Sequence, residues 1–280
     1  MYKVNKLLLK ATLFAIFFLS FTAVQAQVGH RVFTFKAGDE YETEMITNSN
    51  AVLKRGNQVL NINSTTNATK AYKVATANAE ETNLTVEIKS MDNMIEALGE
   101  KLHFNSANKV DSSSTILRAL DFMVKKPVKV ALDKYAVIKT STDYRAELAT
   151  DTLVSFAGLK PEFFEKGTLF SLLADISYNK NIQKGFTWGD TVEMDKQKLV
   201  SKWTIESMTE KNTVVKFSTT ITGKLVNSSS NGTYVVDNAT GLVVEKLVYS
   251  VSVGYQISAG NTVYAVSRST SIAERTRKVK

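Results

Sequence analysis

Two-residue alternation dominates the chain. Over 246–255, Leu247, Tyr249, Val251, Val253 and Tyr255 hold one parity, while Lys246, Ser250, Ser252 and Gly254 hold the other, with Val248 the exception. Leu84, Val86 and Ile88 alternate with Thr85, Glu87 and Lys89 in the same way. So do Val215, Phe217, Thr219 and Ile221 with Lys216, Ser218 and Thr220. Successive strand side chains point to opposite faces, so the pattern predicts antiparallel sheet with one buried and one wetter face. The stripe on 247–255 is accordingly expected to face a core, and 263–272 supplies a closing strand. Asn57-Gln58, Asn212-Thr213, residues 227–232 and Asp237-Asn238-Ala239-Thr240-Gly241 read as turns, because Asn, Asp and Gly tolerate positive φ or bond to their own backbone. No strand runs into a glycine-rich helix start, which argues against doubly wound nucleotide-binding folds.

Helical signals concentrate in the middle. Ser112 to Ser114 can cap a helix carrying Leu117, Leu120, Met123 and Val124. Ser141 or Thr142 can cap a second one with Ala146, Leu148, Leu153 and Phe156, ended near Gly158. Pro161 suits the first turn of a third, with Phe164, Leu169, Leu172, Leu173 and Ile176 as its apolar face. These faces are expected to cover the sheet, with a movable lid as the alternative. The fold class is therefore mainly β with a helical insert (α+β): curved antiparallel sheet in two related β-rich halves, packed with short helices. The halves are 27–140 and 186–280, around a helical segment at 141–185. Their relation rests on Phe35-Lys36-Ala37-Gly38-Asp39 against Phe186-Thr187-Trp188-Gly189-Asp190, and on Tyr72-Lys73-Val74 against Trp203-Thr204-Ile205. Asp39 and Asp190 are expected to act alike, as turn carboxylates bonded to backbone N–H groups.

Residues 1–26 read as a cleaved export signal. Lys3, Lys6 and Lys10 precede an apolar run at 11–24, and Ala23 and Ala26 supply small residues for a signal peptidase. The run falls short of the roughly 20 apolar residues of a spanning helix. The expected product is soluble, periplasmic or extracellular, with no membrane span after cleavage near Ala26. Over the 280 residues, 35 basic against 27 acidic side chains give +8. Three of the lysines lie in the leader, which leaves 32 against 27, or +5. That balance is ordinary solubility chemistry, and no nucleic-acid partner is expected. The Arg275, Arg277, Lys278 and Lys280 cluster reads as a frayed terminus.

Candidate chemistry is sparse. There are no cysteines, and the two histidines, His30 and His103, lie far apart. No metalloprotease, nucleophile-elbow or phosphate-loop motif occurs. No catalytic residue, metal ligand or cofactor is predicted. The remaining handle is aromatic. Trp188, Trp203, Tyr249 and Tyr255 are the candidate ligand-facing residues, with core filling as their other reading.

The leader ending Ala-Val-Gln-Ala-Gln, the Phe35-x-x-Gly38-Asp39-x-Tyr41 entrance, Phe104-Asn105-Ser106, the helical middle and the segment 186–190 together resemble one exported family. It is an uncharacterised β-rich family common in Bacteroidota, domain of unknown function 6263. The resemblance covers nearly the whole mature chain. Position 105 is Asn where the family often carries Asp, which argues against a catalytic carboxylate there. The resemblance implies a bacterial envelope or secreted β protein and supplies no reaction. The expected function is a noncatalytic binding or carrier domain for an apolar or amphiphilic ligand. The alternatives are a structural or protein-interaction module with an envelope protein as partner, and a carboxylate-dependent carbohydrate hydrolase.

Overall fold

The computed structural model describes residues 31–111, 113–142, 164–176, 182–194, 197–257 and 263–280. The leader at 1–26 and the helix expected over 146–156 lie outside the described residues. All named elements belong to one compact unit, Val32–Ala174 with Gln183–Lys280. They are β1 (Glu40–Arg55), β2 (Gln58–Ala77), β3 (Glu81–Ala97), β4 (Glu100–Asn105), α1 (Thr115–Lys125), β5 (Val128–Asp133) and β6 (Ile138–Thr142). The second half adds β7 (Thr187–Met194), β8 (Gln197–Met208), β9 (Asn212–Gly223), β10 (Val226–Asp237), β11 (Val243–Ile257) and β12 (Val263–Lys278).

The strands form one antiparallel 12-stranded sheet in the order β6-β5-β3-β2-β1-β12-β11-β10-β9-β8-β7. β4 pairs with Asp92–Ala97 of β3, on the edge that β5 shares farther down at Glu81–Val86. The chain meanders outward from β1 to β6 and returns from β7 to β12. Its first and last strands therefore meet mid-sheet, in register from Tyr41↔Lys278 to Lys54↔Ala265. β6 and β7 are free ends of the sheet, which is open. Among the described residues α1 is the one helix, and no helix there is long and apolar enough to cross a membrane.

One face of the sheet carries the core. Leu53, Ile62, Met91, Ile95 and Phe104 pack against Leu117, Leu120 and Met123 of α1. The helix starts at Ser114, whose hydroxyl accepts the Leu117 N–H at 3.3 Å. Farther along the same face, Tyr72, Val86, Val130 and Leu132 meet Phe164, Phe170, Leu172 and Leu173. This last segment is not the expected helix. Between 164 and 174 the backbone turns and forms isolated bridges, Val137↔Leu169 and Leu173↔Leu242. Its apolar residues bury themselves by pairing with loops of the sheet, which satisfies the backbone without a helix.

Three further expectations change. Residues 227–232 lie inside β10 rather than in a turn, paired with β9 on one side and β11 on the other. Ladders on both sides override the turn preference of Ser and Asn. The basic C-terminal cluster is ordered in β12: Arg275 pairs with Glu245 (3.1 Å), Arg277 with Glu42 (3.2 Å) and Lys278 with Asp39 (2.5 Å). Finally, Asp39 sits in a turn and accepts the Lys36 N–H, whereas Asp190 lies within β7. Gly38 N–H donates to Val74 O and Val74 N–H to Asp39 O; Gly185 N–H donates to Ile205 O and Ile205 N–H to Phe186 O. A bulge follows each anchor, at Val74/Thr76 and Ile205/Ser207. The structural counterpart of Gly38 is thus Gly185, both at φ 88°, and not Gly189.

Candidate functional site

Residues paired across an antiparallel ladder share a face, so the register assigns every side chain to a side. On the face away from the core, one row runs Lys216–Thr233–Leu247–Ala273–Ile46 from β9 to β1. The next runs Lys202–Ser218–Asn231–Tyr249–Ser271–Asn48. Between them lies a trough of about 500 Å³, floored by the backbone at Gly232, Val248 and Ile272. Between Ala265 and Ala273, β12 presents only small side chains to this face (Ala265, Ser267, Ser269, Ser271, Ala273), flanked by the larger Leu247 and Tyr249 of β11 and by Ile46 of β1. The depth of the trough comes from that contrast in size.

The stripe expected to enter the core therefore faces outward, with Leu247 58% and Tyr249 49% exposed. The alternation is as read, but its sense is reversed: the register puts Lys246, Val248, Ser250, Ser252 and Gly254 on the inner side of β11. A Cβ at Gly254 would lie 2.2 Å from Leu225 O. Ser250 and Ser252 hold the neighbouring inner positions, and Lys246 there pairs with Glu274 at 3.5 Å.

Lys216 is the one charged side chain lining the trough. Several carboxylates on other strands of this face are already occupied. Glu245 is held by Arg275, Glu44 by Arg277 at 3.4 Å, and Glu42 by Lys89 and Arg277. Hydrogen bonds from Lys89 and then Arg277 keep the Glu42 carboxyl below its ordinary 4.5. Among the described residues no cluster of His, Asp and Glu has the makings of a metal site. What the trough offers chemically is apolar contact, hydroxyl and amide rims at Thr233, Asn231, Ser271 and Asn48, and a cationic end.

The four aromatic candidates divide between the faces. Tyr249 and Tyr255 lie on the outer wall along β11, both solvent-facing. Trp188 and Trp203 are register partners on the inner face, stacked at 6.0 Å with planes 15° apart. Phe186 extends that stack at 5.8 Å, and Phe217 with Tyr234 continues the aromatic wall toward β10. Burial pushes the Tyr234 phenol up. Where this wall meets the core, a smaller pocket of about 200 Å³ is lined by Lys70, Lys246 and Glu274. Outside both sites, His103 Nε2 lies 2.9 Å from Asp92, to which Asn105 also donates at 2.8 Å. Sequence reading missed Ile46, Asn48, Lys216 and Ala273 as a group. The one local signal was Ile46, an apolar residue in the polar parity of Glu42, Glu44, Asn48 and Asn50.

No family model and no curated protein matches the chain. Among solved structures, one concerned with lipid–protein interactions in lipovitellin aligns at 10% identity with a TM-score of 0.50, covering 88% of this chain and 26% of that one. The chain thus spans about a quarter of the length of that protein. An outer membrane channel from Pseudomonas putida F1 aligns at 7% identity and a TM-score of 0.27, covering 88% of this chain and 98% of the channel. Pseudomonas aeruginosa OpdQ aligns at 7% and 0.24, covering 88% and 100%. At 10% identity the likeness to lipovitellin concerns the fold alone.

Proposed function

We propose that this chain is an exported, noncatalytic binding or carrier protein for an apolar or amphiphilic ligand that lies in the outer trough. The observation that carries the reading is the trough itself. On the outer face Ile46, Leu247 and Tyr249 stay about half exposed around one cavity of about 500 Å³, and the apolar stripe continues along β11 through Val253 and Tyr255. Contiguous apolar surface left in water marks a binding site, because covering it recovers roughly 25 cal/mol per Å². A sheet fold shared with a protein studied for its lipid–protein interactions supports the same class of ligand. The leader-like residues 1–26 and the resemblance to domain of unknown function 6263 support export to a bacterial envelope.

Native mass spectrometry after gentle purification, with lipid extraction of the same sample, tests the reading. A bound apolar molecule is expected. The double variant Leu247→Ser/Tyr249→Ser should lose it, with affinity falling about tenfold or more, since each large apolar contact is worth roughly 1.5–3 kcal/mol when fully buried. A ligand-free wild type that also ignores long-chain amphiphiles would overturn the proposal. The open edges at β6 and β7 favour a second reading, an envelope partner joined by strand addition. Cross-linking in intact envelopes would then recover one stable protein. The hydrolase reading needs two carboxylates facing one groove, and the described lining of the trough supplies neither.

A further inference from the structure

We infer that the ligand is a single-chain amphiphile with an anionic head group, carboxylate or phosphate, whose head sits at Lys216 and Lys202 and whose chain crosses the strands toward Ile46. This rests on the reading of the trough as a ligand site and adds the ligand's charge and direction. The register supplies the dimensions. From Lys216 on β9 to Ile46 on β1 is four strand spacings, about 19 Å at ~4.8 Å each. The two walls are one side-chain repeat apart, about 7 Å. That is the shape of one extended chain, too narrow for two abreast. The apolar wall of Leu247, Ala273 and Ile46 would contact the half of the chain farther from the head group, with the Tyr249 ring opposite.

Charge gives the direction. Lys216 ends one wall row, and Lys202 lies two strands beyond Asn231 in the other. The two lysines are diagonal neighbours across β8 and β9, a separation of about 7–8 Å at the backbone. Neither makes an ion pair among the described residues, whereas Glu245 and Glu44 are each held by an arginine. At the other end the first row continues past Ile46 through Asn67 to Asp92. An anion is therefore drawn to the β8–β9 end and disfavoured at the β3 end. A headless or neutral chain would gain the apolar contacts and none of this orientation.

The test uses the full exported protein, stripped of lipid, at amphiphile concentrations below micelle formation. A long-chain fatty acid, the monoalkyl phosphate and the alcohol of equal chain length are titrated in turn. Both anions should bind more tightly than the alcohol at low salt, by up to about fivefold, the upper reach of an exposed charge pair, and the preference should shrink as salt rises. Lys202→Met/Lys216→Met should abolish the preference of both anions over the alcohol. Acetate and inorganic phosphate should not compete, because the chain supplies most of the contact. Equal binding of acid and alcohol, a preference that survives the double lysine variant, or competition by free phosphate would each overturn the head-group assignment while leaving the apolar site standing. If none of the three amphiphiles binds, the trough reading falls and this assignment with it.

Discussion

Gly232 is the position where a single methyl group should be most disruptive. In an ordinary strand, Ala for Gly stabilises by roughly 0.5–1 kcal/mol, because the unfolded chain loses less freedom. Here the added Cβ would lie 2.0 Å from Leu247 O and 2.9 Å from Phe217 Cε1. The ring can rotate away, but the carbonyl belongs to β11, which β10 pairs along nearly its whole length. Relief therefore requires the strands to part by more than an ångström. Overpacking of this kind costs about 1–3 kcal/mol, and each ladder hydrogen bond stretched adds about 0.5–1.5 kcal/mol. Against the small entropic gain, Gly232→Ala should destabilise by about 2–4 kcal/mol. Urea denaturation should show a lower midpoint with an unchanged slope. Phe217→Leu in the same chain removes the ring contact and should restore little. A Gly232→Ala protein as stable as wild type would refute the reasoning. Full rescue by Phe217→Leu would show that the ring, not the carbonyl, is the obstacle.

The β3–β4 hairpin turns on Leu98 and Gly99, both at positive φ (55° and 81°), and Leu98 is 82% exposed. A left-handed L-residue costs roughly 1–2 kcal/mol, and Leu98 gains no packing in return. Leu98→Asn should raise thermal stability by about 1 kcal/mol; a drop in melting temperature would count against the turn assignment. Acid stability should reflect Glu42 and Asp39. Lys89 and Arg277 lower the Glu42 carboxyl; burial opposes the lowering at Asp39, but hydrogen bonds from Lys278 and the Lys36 N–H prevail. Folded values below the unfolded 4.5 and 3.8 mean stabilisation that is complete above those values and lost as pH falls through the folded ones. The melting temperature should hold from pH 7 to about 5 and decline below about 4. Glu42→Gln should melt lower at pH 7 and decline less steeply, and parallel profiles would exclude the ion pairs as the cause.

Much of the strand content was legible locally. Period-two runs located β3, β9 and β11, Ser114 announced α1, and Asp237 through Gly241 closed the β10–β11 turn, with Thr240 N–H donating to Asp237 Oδ1 at 2.8 Å. Turn-forming residues misled at 227–232, where neighbours on both sides decide the conformation. Pro161 and the apolar spacing after it suggested a helix, but Phe164 to Leu173 found burial against Ala136 and Leu242 instead. Trp188 and Trp203 became a stacked pair only through the β7–β8 register.

Alternation alone determined that residues 247–255 form a two-sided strand, and composition alone determined that thiol and histidine-cluster chemistry are missing. Which side faces water was decided by the sheet. Pairing with β10 and β12 sets Val248 opposite Gly232 and Ile272 on the inner side, which turns Leu247 and Tyr249 outward. The trough exists because β12, from the end of the chain, inserts its Ser and Ala residues between β11 and the first strand. A face belongs to one strand, but a cavity belongs to the register between strands, and that relation forms only when distant parts of the chain pair.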